Sequence, residues 1–304
     1  MSKAPETIFS DNTTLEQMLD AVLRATIQHL LQNQAAAEDG WDPEALHQYR
    51  VALRRLQSAL RLMRSIVPSA RLESFLDDAK WLMSNIGAAR DWDVFVTETL
   101  PRMSRSCSAI EGFDTRASAV KVHRRRAHAM AKKAITARRT GQFQIALRLW
   151  IEQTGWRADV APESRKLLVE PARGYLAEAV GKLHRKALRR GRKFNRLSPE
   201  GRHKVRLALK RLRYVAGFFP SSLGRKKLHR LYEKRLARLQ EQLGRYNDML
   251  VAEKFVQEIS KSKMSAAGRR AVEALRGWQA AAQAGREVKL ISAWKKFSDT
   301  DFNL

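Results

Sequence analysis

The 304-residue chain carries 58 lysines and arginines against 31 aspartates and glutamates, a formal charge of +27 at pH 7, and 44% of its residues are hydrophobic. That apolar content excludes a disordered basic tail, while a charge that repels itself in any folded state calls for a polyanionic partner: nucleic acid, an anionic membrane surface or a phosphate polymer. The single cysteine, Cys107, excludes an internal disulfide framework and any cysteine-rich zinc site.

At the start of the chain, MSKAPETIFSDN lacks the apolar core of a signal peptide. No stretch approaches the roughly 18 apolar residues that span a bilayer, so a cytoplasmic protein without a membrane span is expected. Thr13-Thr14-Leu15-Glu16 reads as a capping box opening a helix over 13–34. Asp42-Pro43-Glu44 has the N-cap, first-turn proline and first-turn acid that start a second helix, over 43–66. Helical patterning continues over 69–86, 91–104, 116–139 and 142–153. After a weakly periodic join at Thr154–Pro162 it resumes over 172–190, 200–219, 225–244, 247–262 and 266–296. Pro68 and Pro220 follow long amphipathic runs and end them. No segment shows strand alternation between hairpin turns. The fold class is all-α.

The helix that starts at Pro43 is written a second time. His47, Arg50, Ala52, Leu53, Arg55 and Leu56 have identical counterparts 156 residues later, beginning with His203 and Arg206. A second block follows in each half, NIGAARDWDV (85–94) and QLGRYNDMLV (242–251), pairing Gly87 with Gly244 and Asp91 with Asp248. Two matched blocks in the same order indicate an internal duplication. The units are residues 1–158 and 159–304.

On a helical wheel with His47 at zero, Arg50, Arg54 and Arg61 fall at about 300°, 340° and 320°. Leu53, Leu56, Leu60 and Met63 fall roughly opposite. In the copy, Arg206, Lys210 and Arg213 share a sector with His203, and Val205, Leu209 and Leu212 face the other way. Like charges three and four residues apart destabilise a helix. A solvated polar face usually mixes signs, yet no carboxylate enters either stripe. An anion lying along the stripe explains the arrangement. Further basic faces appear in 116–139, where Lys121, Arg125, His128, Lys132 and Arg139 share a sector, and in 172–190, which offers Arg185 and Arg189 with Arg190, Arg192 and Lys193 close behind.

Glu44–His47 and Glu200–His203 each match half of a di-iron helix signature. Each glutamate is already accounted for as a first-turn residue, and the neighbouring arginines would repel a divalent cation, so no metal is expected. Asp91 and Asp248 read as structural carboxylates that cap a helix or orient an arginine such as Arg90. Walker A, H-E-x-x-H, G-x-S-x-G and G-x-G-x-x-G patterns are absent. The tryptophans and phenylalanines follow helical spacing and read as core, Trp41 and Trp81 least clearly.

His-x-x-Arg-x-x-x-Arg/Lys-Arg, here His47, Arg50, Arg54, Arg55 and His203, Arg206, Lys210, Arg211, resembles the hallmark of the conserved histidine α-helical domain (CHAD) family. GAARDWDV and LGRYNDM resemble its downstream blocks, and the resemblance spans residues 13 to 285. It implies two helical bundles related by a pseudo-two-fold with a basic groove or pore between them. It also implies binding of inorganic polyphosphate and, in some members, residence on polyphosphate granules. Many relatives carry a fused triphosphate tunnel enzyme; this sequence has no such acidic, strand-rich domain, so that activity does not carry over. Gln57 stands where the second half has Arg213, which suggests a poorer first stripe. The expected function is non-enzymatic polyphosphate binding, with no catalytic residue and no cofactor. His47, Arg50, Arg54, Arg55, Arg61, Arg125, Lys132, Arg185, Arg189, His203, Arg206, Lys210, Arg211 and Arg213 would carry it. A helical nucleic-acid binder contacting the phosphate backbone is the alternative, and a phosphohydrolase using Asp91 and Asp248 a distant third.

Overall fold

Thr14, not Thr13, caps the first helix. Its hydroxyl accepts from the Gln17 amide at 3.3 Å, and the Gln17 side chain accepts from the Thr14 amide at 3.0 Å. The capping box therefore sits one residue later than Thr13–Glu16. The reason is tertiary: Thr13 and its neighbours pair with a distant segment. The Thr13 carbonyl accepts from the Ala172 amide, and the Leu15 amide donates to the Glu170 carbonyl, both at 2.9 Å.

The computed structural model describes residues 9–40, 42–106, 117–218, 226–260 and 266–300. Trp41, Cys107, Pro220 and the start of MSKAPETIFSDN lie outside the described residues. The helices are α1 (Leu15–Gln32), α2 (Gln34–Asp39), α3 (Pro43–Met63), α4 (Ala70–Asn85), α5 (Gly87–Val94), α6 (Leu100–Ser106), α7 (Ala117–Ile135), α8 (Arg138–Glu152), α9 (Arg165–Val169), α10 (Ala172–Arg190), α11 (Pro199–Ala216), α12 (Lys226–Ser260) and α13 (Ala266–Ser298). Asp42 and Ser198 cap α3 and α11, each followed by proline in the first turn. The fold is all-α, and no described helix is long and apolar enough to cross a membrane.

Three expected boundaries differ. The helix expected over 91–104 is α5 and α6 joined by a π-helical turn, Phe95–Thr99. The helix expected over 116–139 ends at Ile135, and the extended Ala137 moves Arg139 onto α8. The pieces expected over 225–244 and 247–262 are one helix, α12. Leu236, Leu239, Leu243, Tyr246, Met249, Ala252, Val256 and Ile259 form one buried stripe along it. That stripe offsets the roughly 1 kcal/mol that Gly244 costs inside a helix.

The buried side chains, from Phe9 to Phe297, form one connected cluster. α3 packs on α1 and α4 with Leu53, Leu56, Leu60 and Met63 fully buried. α11 packs between α10 and α12, burying Val205, Leu209 and Leu212. α3 also meets α11 directly, so the two written copies touch. Away from that contact, Phe255 of α12 stacks on Trp92 of α5 with ring centroids 3.8 Å apart.

Candidate functional site: a cationic cleft between α3 and α11

Because the leucine faces of α3 and α11 are turned into their own packing layers, the arginine faces are left to meet each other. Between them lies a cavity of about 350 Å³ lined by Arg54 and Arg61 of α3, Lys210 and Arg211 of α11, and Lys186 and Arg190 of α10. Its uncharged polar lining includes Gln57, Ser58 and Tyr214, and among the described residues no carboxylate borders it. These cations are not a solvated surface. Arg50, Arg54, Arg61, Arg206, Lys210 and Arg211 are all half-buried. Nη1 of Arg50 and Nε of Arg206 and Arg211 are buried without a hydrogen-bond partner among the described residues. Desolvated donors left open are costly, and such a site gains stability from any anion that fills it.

The electrostatics follow from that crowding. Burial, then the charge of Arg54, pushes Arg50 down to about 10. Arg61, Arg206 and Arg211 are lowered for the same leading reason, burial. Lys210 is pushed down to about 6, first by burial and then by Arg206, Arg54 and Arg50. An ammonium can shed its proton in such a field, whereas a guanidinium keeps it. His47, half-buried in the first turns of α3, is lowered by burial and then by Arg90.

Two carboxylates stand beside the arginines. Asp91 of α5 is raised by burial against the opposing pull of Arg50 and Arg206, and Asp248 of α12 is raised by burial against Arg206. Each therefore lies within the field of α11 cations, and Asp91 also within that of α3. The arginines that act on them are Arg50, Arg54 and Arg206, where the sequence offered Arg90 as an example.

Of the sequence-derived candidates, Arg54, Arg61, Lys210 and Arg211 line the cavity, Arg50 and Arg206 act on Lys210 without lining the cavity, and Arg55 is half-buried. His203 is exposed, its Nδ1 3.1 Å from the Asn247 side-chain oxygen. Arg213 lies away from the cavity: it is exposed and donates to the Gln240 side chain at 3.2 Å. Gln57, its counterpart, is buried and lines the cavity. Exchanging the charge at this pair of positions therefore does not make the first wall poorer. Arg185 and Arg189 are exposed, and α10 turns Lys186 and Arg190 toward the cleft instead. The cause is His184, which is buried against Tyr232 at 3.0 Å and rotates the helix with Val180 and Ala187 inward. Reading His184 as a core position would have given the correct face.

Arg125 and Lys132 are exposed on α7, apart from the cleft. Arg125 borders a separate groove with Lys121, Arg124 and His128. The basic sector assigned to this segment is broken up, because His128 and Arg124 both bind the fully buried Asp93 at 2.8 Å. Arg139 pairs with Asp78 at 2.7 Å and lies over Trp81. Arg202, next to His203, is buried in a two-pronged ion pair with Glu287 of α13, between the rings of Tyr246 and Phe194.

Residues 21–257 match the family model described as "CHAD domain". Among solved structures, the chain is similar to the CHAD domain from the plant Ricinus communis, at 31% identity over 99% of this chain and 97% of that one, TM-score 0.82. It is also similar in fold to PptA from Streptomyces chartreusis, at 16% identity over 93% and 99% of the two chains, TM-score 0.71. No curated protein sequence matches it.

Proposed function

The chain belongs to the CHAD-domain family, and from that premise we propose that it binds inorganic polyphosphate in the cleft between α3 and α11, without chemically altering it. The observation that carries this reading is the sign of the charged lining: six basic side chains from three helices face one cavity that, among the described residues, no carboxylate borders. Arginine forks grip phosphate oxygens bidentately, and a flexible chain with charge at every unit satisfies many of them at once. A nucleic-acid strand offers the same phosphates with bulky bases attached. Strand binders add stacking aromatics to their basic groove, whereas the described lining offers Tyr214 as its aromatic group. Asp91 and Asp248, hemmed in by arginines, suit positioning those arginines better than activating a water.

Competition tests the reading. Labelled polyphosphate, duplex DNA and single-stranded RNA are presented at equal charge concentration, and the fraction of each retained is measured. Polyphosphate is expected to displace both. Equal or better retention of either nucleic acid would replace polyphosphate with that polymer.

A further inference from the structure

Two amines line the cleft, Lys186 and Lys210, and Lys210 is the more crowded by charge. It lies one turn from Arg206 on its own helix and is faced from α3 by Arg50 and Arg54. The carboxylates whose fields reach it are Asp91 from α5 and Asp248 from α12. Around it Nη1 of Arg50 and Nε of Arg206 and Arg211 are buried without a hydrogen-bond partner among the described residues, and the Arg54, Arg61, Arg190 and Arg211 side chains line the cavity beside it. A phosphoryl group held there sits beside a primary amine.

We propose that Lys210 is a site of covalent acylation by small acyl phosphates, with the cleft arginines holding the phosphate group while the amine attacks the adjoining carbonyl. The nitrogen lone pair forms the new C–N bond. The bond from carbonyl carbon to phosphate oxygen breaks, and inorganic phosphate leaves with that electron pair. The nitrogen's surplus proton goes to the departing phosphate, and nothing is oxidised or reduced. The inference rests on the cleft being a phosphate site, as proposed above, but not on polyphosphate being its ligand.

The state of the amine supports this chemistry. With its proton lost near pH 6, Lys210 is mostly free base at pH 7.5. An ordinary lysine is free at about one part in a thousand there. Lower basicity weakens each free amine, so a net advantage of about tenfold over exposed lysines is expected. The amide product can no longer take up a proton, so acylation would remove one of the six basic groups that line the cleft and weaken anion binding.

The test incubates the whole chain at pH 7.5 with acetyl phosphate and follows acetylation of each lysine by peptide mass spectrometry. A parallel arm uses an uncharged acetylating ester. With acetyl phosphate, Lys210 is expected to react at least tenfold faster than the exposed Lys132 and Lys166. Excess inorganic phosphate should slow it, and Arg54→Gln should slow the acetyl phosphate reaction far more than the reaction with the uncharged reagent. Equal rates at the three lysines overturn the proposal. So does preference for Lys210 with the uncharged ester alone, which would mean a free amine without a held acyl phosphate. Polyphosphate retention is measured on the same preparation. Retention with an unreactive Lys210 sinks this inference alone; a reactive Lys210 without retention upholds it and sinks the polymer reading.

Discussion

Lys210 and His47 give up protons because burial and arginines surround them, and a bound polyanion reverses that field. Binding should therefore take up protons, chiefly at Lys210 near neutrality, with His47 contributing toward the acid end. Affinity is expected to rise as pH falls from 8 to 6. Calorimetry in buffers of different ionisation enthalpy reads the uptake, and Lys210→Arg, which keeps the charge but does not titrate, should remove most of it. The empty fold behaves oppositely. Between about pH 6 and the ordinary lysine value of 10.5, the unfolded chain holds a proton at this residue that the folded chain lacks. The stability contribution is thus fully present above 10.5 and lost as pH falls through 6, so the ligand-free protein should unfold at higher temperature at pH 9 than at pH 6.5. Arg50→Met with Arg206→Met removes two desolvated charges. It should weaken polyphosphate binding by at least a hundredfold while raising ligand-free stability by roughly 1 kcal/mol, seen in urea titrations. At this scale the α3 and α11 stripes were legible because their wheel positions are set by strong leucine faces. Lys186 and Arg190 were not, because a histidine can sit on either side of a helix and composition does not say which.

At the scale of elements, α11 is anchored to α13 by Arg202 and Glu287. Glu287→Ala strands a buried guanidinium and should cost about 2–4 kcal/mol, measured as a lower urea midpoint. Arg202→Met in the same chain should recover much of that loss, since the apolar side chain can lie between Tyr246 and Phe194. Gly191 ends α10 where Trp294 of α13 crosses it, and an added Cβ would fall 1.9 Å from the indole ring. Gly191→Ala should therefore cost about 2–3 kcal/mol, which thermal unfolding can check. Most helices were visible as periodic runs between caps and prolines. The duplicated glycine blocks were less transparent: at Ile86 the first copy turns between α4 and α5, whereas the second runs straight through Gly244. The same local pattern has two outcomes because α12 has a continuous buried stripe beneath it. The π-turn after Val94 carries no comparable sequence mark.

For the whole molecule, the charge of +27 and the all-α class were legible from counts and periodicity. That α3 would face α11 came from the family resemblance, since a wheel shows which side is basic and not what it meets. If Arg50, Arg54, Arg61, Lys186, Arg190, Arg206, Lys210 and Arg211 all engage phosphates, log affinity should fall against log salt with a slope of about −5 to −6. Titrations across salt concentrations measure it, and a slope near −1 would mean that most of the cleft is idle. Binding should also raise the unfolding temperature, because a ligand held by the folded state stabilises it by mass action.

That the charged side chains described in the lining are all positive has a statistical consequence. With nothing in it to recognise a chain end, a phosphate polymer of N units covering n of them can occupy the cleft in N − n + 1 positions. Because such a polymer reads the same from both ends, each position counts twice. Affinity per molecule should then climb almost in proportion to length once the chain exceeds the footprint, with no added contact, and the bound chain should slide.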